Sequence, residues 1–259
     1  MEIDHFLVGK GEAEKILLKA RKQSFKDYVD YHLKTTRKAL KEIVGRDIYI
    51  VHAVHSIEEM DRVLNMLTKR LREWGGYIQP TLAHDVEDHL AFTTLFLEKT
   101  TKDSLGITAQ KEDMQAMHAF AKQILALTKQ REETEKYISN VMSTLCPNLK
   151  AVAGVMVGAK LLEHAGSLKK LMGMPSSTVQ TLGAEKALFR HLRNKNINPP
   201  KYGILFQHTL VQQAARDKKG KAARLLADKI SICVKVDYFK GEFIGKKLLD
   251  EIEAKLRLT

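Results

Sequence analysis

Between Lys111 and Leu145 the chain runs for more than thirty residues without a glycine or a proline. Met114, Met117, Ala121, Ile124, Leu127, Ile138, Met142 and Leu145 recur along this stretch at helical spacing. A helix of that length reaches ~50 Å at ~1.5 Å per residue, more than the diameter of a small domain. It must pack lengthwise, which predicts a long antiparallel coiled-coil or bundle arm. Its middle, Lys129-Gln130-Arg131-Glu132-Glu133-Thr134-Glu135-Lys136, is polar and interrupts the apolar seam. That suits either a solvated stretch or a contact between subunits.

The rest of the chain also reads as helix. Residues 12–44 carry apolar positions at helical spacing (Ile16, Leu17, Ala20, Phe25, Tyr28, Val29, Leu33) up to a stop at Gly45. Ile48-Tyr49-Ile50-Val51 is strand-like, though too short to exclude a helix start. Ser56 with Glu59 forms a capping-box pattern ahead of Met60, Val63, Leu64, Leu67 and Leu71, and Trp74-Gly75-Gly76 closes that helix. A further helix is predicted over 83–98. Pro147 marks a boundary, beyond which helices are expected at 149–162, 168–171, 177–194, 219–237 and 243–256. Pro199-Pro200 and Gly203 bracket an irregular or extended segment at 202–206. The expected fold is mainly α: a short N-terminal domain at 1–51, a coiled-coil domain at 52–146 and an all-helical domain at 147–259.

Several function classes lose support at this stage. No apolar run approaches the ~20 residues of a membrane span, and the first residues lack a basic and then apolar leader. Cys146 and Cys233 stand far apart, outside any Cys-x-x-Cys spacing, which suggests a reducing compartment and no zinc site. The histidines are scattered; His52 and His55 near Glu58 and Glu59, and His84-Asp85 near Glu87, Asp88 and His89, read as surface polar groups rather than metal ligands. Gly9-Lys10-Gly11 lacks the strand and the Lys-Ser/Thr ending of a phosphate loop. No nucleophile motif occurs, so neither catalytic residues, a cofactor nor a metal is expected.

The net charge of +12 is unevenly placed. Residues 1–146 hold 22 basic and 22 acidic side chains, whereas 147–259 hold 21 and 9. Within 186–224 ten Lys/Arg face a single acid, Asp217. Such density marks a polyanion-binding surface, because neutralising phosphates releases counterions; a solvated basic face is the alternative. Lys186, Arg190 and Arg193 fall at i, i+4 and i+7, on one stripe of a helix whose other face carries Leu182, Leu188, Phe189 and Leu192. One side can pack while the other meets phosphate. Gly183-Ala184 leaves a small-residue surface that another backbone could approach closely. Lys218, Lys219, Lys221 and Arg224 form a second cluster at a helix start, where backbone amides can assist phosphate binding.

The run Leu182-Gly183-Ala184-Glu185-Lys186-Ala187-Leu188-Phe189-Arg190-His191-Leu192, after Pro175-Ser176-Ser177-Thr178-Val179-Gln180, resembles the signature of the Nop domain. So do residues 158–168, Gly220-Lys221-Ala222-Ala223-Arg224-Leu225 and Val236-Asp237-Tyr238-Phe239-Lys240-Gly241-Glu242. Asp61-Arg62-Val63-Leu64-Asn65 and Arg70-Leu71-Arg72-Glu73-Trp74 resemble the same family's coiled-coil region. The resemblance implies an archaeal-type core protein of a box C/D ribonucleoprotein, non-catalytic, that joins guide RNA and a ribosomal-type kink-turn-binding protein to fibrillarin. Fibrillarin would be the methyltransferase, using S-adenosylmethionine for RNA 2'-O-methylation. It also implies homodimers through the coiled coil, and a cytoplasmic location, or nucleolar in a eukaryote. Gln180, Gly183, Ala184, Glu185 and Lys186 would meet the kink-turn protein. With the charge pattern, the RNA-binding candidates are Lys186, Arg190, Arg193, Lys218, Lys219, Lys221, Arg224 and His208, with His191 and Gln207 as weaker ones. Two departures stand out: the N-terminal part is shorter than the family's fibrillarin-binding domain, and Phe206 is followed by Gln207 where eukaryotic relatives tend to carry His. A spliceosomal-type Nop protein, a coiled-coil dimer with nonspecific RNA binding, and an RNA-processing enzyme with a helical arm are the alternatives.

Overall fold

The computed structural model describes residues 12, 14, 15, 25–43, 45–98 and 105–257. These are helices joined by turns, with no strand among them. Two compact units divide the chain, Met1–Gly45 and Arg46–Thr259. The described helix of the first unit is α1 (Phe25–Ile43). Phe25, Tyr28, Val29, Tyr31, Leu33 and Leu40 on it are exposed, and Tyr28 and Tyr31 set their rings against His32. The expected helical positions Ile16, Leu17 and Ala20 lie outside the described residues.

The second unit opens with α2 (Asp47–Gly75). The strand-like Ile48–Val51 segment is therefore helical, because Ile50, Val54 and Ile57 continue one buried stripe at i, i+4 and i+7. Ser56 lies inside this helix rather than at its start, its hydroxyl donating to the His52 carbonyl at 3.0 Å. After α3 (Pro80–Asp85) and α4 (His89–Glu98), the long helix α5 occupies Lys111–Leu145. Ile50, Val54 and Ile57 share a core with Ile138 and Met142, while Leu71 shares another with Met117, Ala121 and Ile124, so α2 and α5 lie antiparallel. Between the two cores sits the polar middle of α5. Arg131 there donates to Asp61 of α2 at 2.8 Å and to Glu135 at 2.7 Å. The helix expected over 83–98 breaks at 86–88: Asp88 caps α4 by accepting the Ala91 amide at 2.9 Å, and Arg72 donates to the carbonyls of Ala83, Val86 and Glu87 that the break exposes.

The larger core continues across residue 146 into α6 (Pro147–Ala153), α7 (Val155–Ala165), α8 (Leu168–Gly173) and α9 (Ser176–Thr181). Gly154, at φ 74°, separates α6 from α7, so the helix expected over 149–162 is two. Then come α10 (Glu185–Arg193), a 3-10 turn at Ile204–Gln207 where an extended or irregular segment was expected, α11 (Thr209–Gln213), α12 (Lys219–Tyr238) and α13 (Gly245–Arg257). Helix α12 is the axis, packed by α6, α8, α9, α11 and α13. A buried polar knot fastens three of these. Asp237 accepts the amides of Asn148 and Leu149, at 3.1 and 2.8 Å, and the Asn148 side-chain amide at 2.8 Å. The Asn148 side-chain oxygen Oδ1 in turn accepts the Ile244 and Gly245 amides that begin α13.

Candidate nucleic-acid interface

The helix expected over 177–194 is interrupted at 182–184, and that interruption builds the site. Gly203 N–H donates to the Gln180 carbonyl at 3.0 Å and Ile204 N–H to the Leu182 carbonyl at 2.8 Å, so the end of α9 pairs with the segment ahead of the 3-10 turn. A continuous helix would have used those carbonyls internally. Gly183 turns the chain at φ 85°, and a Cβ there would stand 2.6 Å from Ile204 Cγ1. Its lack of a side chain thus serves a close approach within the protein, where the sequence suggested an outside partner. Glu185 folds back to accept the Gly183 amide at 2.6 Å.

Helix α10 projects from this turn, and none of its residues is buried. Lys186, Arg190 and Arg193 form an exposed stripe, and among the described residues no ion pair engages them. The expected packed face opposite them is not covered. Leu182 is buried, but it precedes the helix; Leu188 is half-buried, Phe189 is 66% exposed and Leu192 53%. The amphipathic pattern is real, and the covering surface is absent from the described chain.

The second basic cluster comes close through Lys201. Its carbonyl accepts the Gln180 side-chain amide at 2.6 Å, and its aliphatic stem lies against Gly220 in the first turn of α12. Lys221 and Arg224 are exposed on that helix, and Lys218 precedes it. Lys219 holds its ammonium 5.1 Å from the centre of the Phe206 ring, which stacks on Tyr202 at 5.0 Å. Lys218 and Lys221 also line a cleft of about 510 Å³ with Leu210, Ala214, Glu253 and Leu256. Lys201 thus ties the end of α9, just ahead of the first predicted cluster, to the start of α12, which carries the second, and Lys201, Tyr202 and Phe206 are neighbours that helical periodicity could not place.

His208 is half-buried and already engaged within the chain. Its Nδ1 accepts the Leu210 amide at 3.2 Å and so caps α11, and burial lowers its pKa against the opposing effect of a hydrogen bond with the Val152 backbone. His191 is turned to the Ile197 carbonyl, and Gln207 accepts from Lys160 at 3.0 Å. Cys146 and Cys233 are buried, which pushes each thiol up to about 12. Among the described residues no group of three or more His, Cys, Asp or Glu is placed to hold a metal ion, and no helix is long and apolar enough to cross a membrane.

A model of the Nop family, described as a snoRNA-binding domain and fibrillarin, matches residues 94–258. An uncharacterized NOP5 family protein of Methanocaldococcus jannaschii is 34% identical over 247 residues, covering 85% of this chain and 59% of that protein. Nucleolar protein 58 of Schizosaccharomyces pombe is 37% identical over 216 residues, covering 74% of this chain and 42% of the relative. The chain thus spans less than two thirds of the length of these curated relatives. Among solved structures, a chain of a fibrillarin/Nop5p complex is similar at a TM-score of 0.56 and 29% identity, over 91% of this chain and 80% of that one.

Proposed function

The chain belongs to the Nop family, and on that premise we propose that it is a non-catalytic scaffold of a box C/D guide ribonucleoprotein. In this reading it binds guide RNA together with a kink-turn-binding protein and holds fibrillarin, the S-adenosylmethionine-dependent enzyme, for RNA 2'-O-methylation. The carrying observation is the exposed stripe of Lys186, Arg190 and Arg193 beside uncovered Phe189 and Leu192. A charged stripe suits phosphates, an apolar one suits protein, and a composite RNA–protein partner presents both. Lys218, Lys219, Lys221 and Arg224 extend the phosphate contacts from the start of α12. Gln180, Gly183, Ala184 and Glu185 form the turn that sets the angle of α10 toward the kink-turn protein.

In the same reading residues 1–51 meet fibrillarin, 52–146 supply a homodimer contact and 147–259 bind the ribonucleoprotein; these are functional regions within the two compact units at Met1–Gly45 and Arg46–Thr259. Exposed Val63, Met66, Trp74 and Tyr77 on and after α2 are available for the dimer. Such a protein works in the cytoplasm of an archaeon or the nucleolus of a eukaryote. The test is a salt titration of binding to a kink-turn RNA carrying its protein. Arg190→Ala should lower the affinity and reduce the slope of log K against log salt by about one unit. An unchanged slope rejects the contact. Binding of equal strength with and without the kink-turn protein rejects the composite site.

A further inference from the structure

Two chains of polar contacts leave the arm helix α2, cross α7 and end at the two loops that frame the basic surface. In the first, Lys160 of α7 lies 4.0 Å from Glu58 of α2 and donates to Gln207, on the 3-10 turn, at 3.0 Å. In the second, His55 Nε2 of α2 stands 3.6 Å from Glu163 Oε1 of α7, and His164 Nε2 stands 3.4 Å from Glu163 Oε2. His164 Nδ1 then faces Glu185 Oε1 at 3.9 Å. That same oxygen accepts the Gly183 amide, in the turn that launches α10.

The middle of the second chain is poorly satisfied when His164 is neutral. The Glu163 side chain is only 13% exposed and its buried Oε2 receives no hydrogen bond. A buried carboxylate oxygen without a donor is costly unless a cation faces it. His164 has a carboxylate opposite each ring nitrogen, and a neutral imidazole carries one N–H where the imidazolium carries two. Only the protonated ring can serve Glu163 and Glu185 together.

We propose that His164, as the imidazolium, is a positioning residue for the RNA-facing surface: it bridges Glu163 and Glu185 and so holds the Gly183 turn and the root of α10 against α7. Other charged groups frame it. Glu58 and His55 approach from α2, Lys160 lies one helical turn earlier on α7, and Lys170 of α8 extends its ammonium over Gly166. Asp47 is engaged by the Leu168 amide at 2.7 Å. None of these offers two donors to both carboxylates at once. The bridge needs both ring N–H groups, so it tightens as pH falls and the ring gains its second proton. The effect on RNA affinity rests on the scaffold reading; the bridge itself does not.

The experiment has two arms on the full chain. In the first, the amide nitrogen chemical shift of Gly183 is followed over about pH 5 to 8. It should titrate in the wild type and lose that titration in His164→Gln and in Glu185→Gln; an identical titration in all three overturns the bridge. In the second, affinity for a kink-turn RNA carrying its protein is measured over the same range. Wild-type affinity should fall about threefold to tenfold toward the alkaline end, the worth of one net hydrogen bond. His164→Gln should stay at the weak level throughout and His164→Lys, a permanent cation, at the strong level. Parallel pH profiles in the wild type and His164→Gln overturn the positioning role. Absence of RNA binding at every pH would instead refute the scaffold reading, while the Gly183 titration still decides the bridge.

Discussion

Gly183 and Gly203 show how little space separates the two loops of the basic surface. Gly183→Ala adds a Cβ at φ 85° and 2.6 Å from Ile204 Cγ1, so the unfolding free energy should drop by about 2 kcal/mol in a denaturant titration. Gly203→Ala should cost more, because its Cβ would lie 1.9 Å from the Leu182 carbonyl oxygen, which is backbone and cannot swing aside. The thiols give a different readout at the same scale. Burial keeps Cys146 and Cys233 protonated, so a thiol reagent at neutral pH should modify them only as fast as the surrounding core opens. Fast stoichiometric labelling of the folded chain would contradict that burial.

Among the elements, α10 is distinguished by an apolar face that the described chain leaves bare. Phe189→Ala and Leu192→Ala should therefore change unfolding free energy by no more than about 0.5 kcal/mol, and on the proposed scaffold reading should weaken assembly with a kink-turn RNA–protein complex about tenfold or more. A large loss of stability would mean that these side chains pack within the chain. The opposite holds for the knot joining α6, α12 and α13. Asp237→Ala strands the amides of Asn148 and Leu149 in the interior and should cost about 3 kcal/mol. Burial raises the Asp237 pKa above its ordinary 3.8, against the downward pull of three donated hydrogen bonds. A raised carboxyl contributes most when protonated. Its share of stability is complete below the unfolded value and is lost as pH climbs through the folded one, so Asp237→Asn should flatten that decline. The ion-paired middle of α5 is a milder case. Arg131 and Asp61 are partly exposed, and Arg131→Ala should lower stability by only about 1 kcal/mol.

At the scale of the whole molecule, helix was readable almost everywhere because apolar residues repeat every three or four positions, and α5 begins and ends where its sequence said. The breaks at 86–88 and 182–184 were not readable. Each is held by groups distant in sequence: Arg72 reaching the carbonyls after α3, and Gly203 and Ile204 taking those of Gln180 and Leu182. The candidate site was legible in the same measure. Its lysines and arginines stood out by number, and Lys186, Arg190 and Arg193 do share an exposed stripe. That His208 caps α11 was not readable, because an imidazole in sequence carries no sign of the helix it caps. The amino-acid order by itself determined a helical chain with its positive excess in the last 113 residues, since periodicity and charge are properties of neighbours along the backbone. Only the tertiary structure decided which apolar face stays uncovered and which cations stand together. Both depend on residues more than ten positions apart meeting across α7, α9 and α12, and no local pattern encodes that meeting.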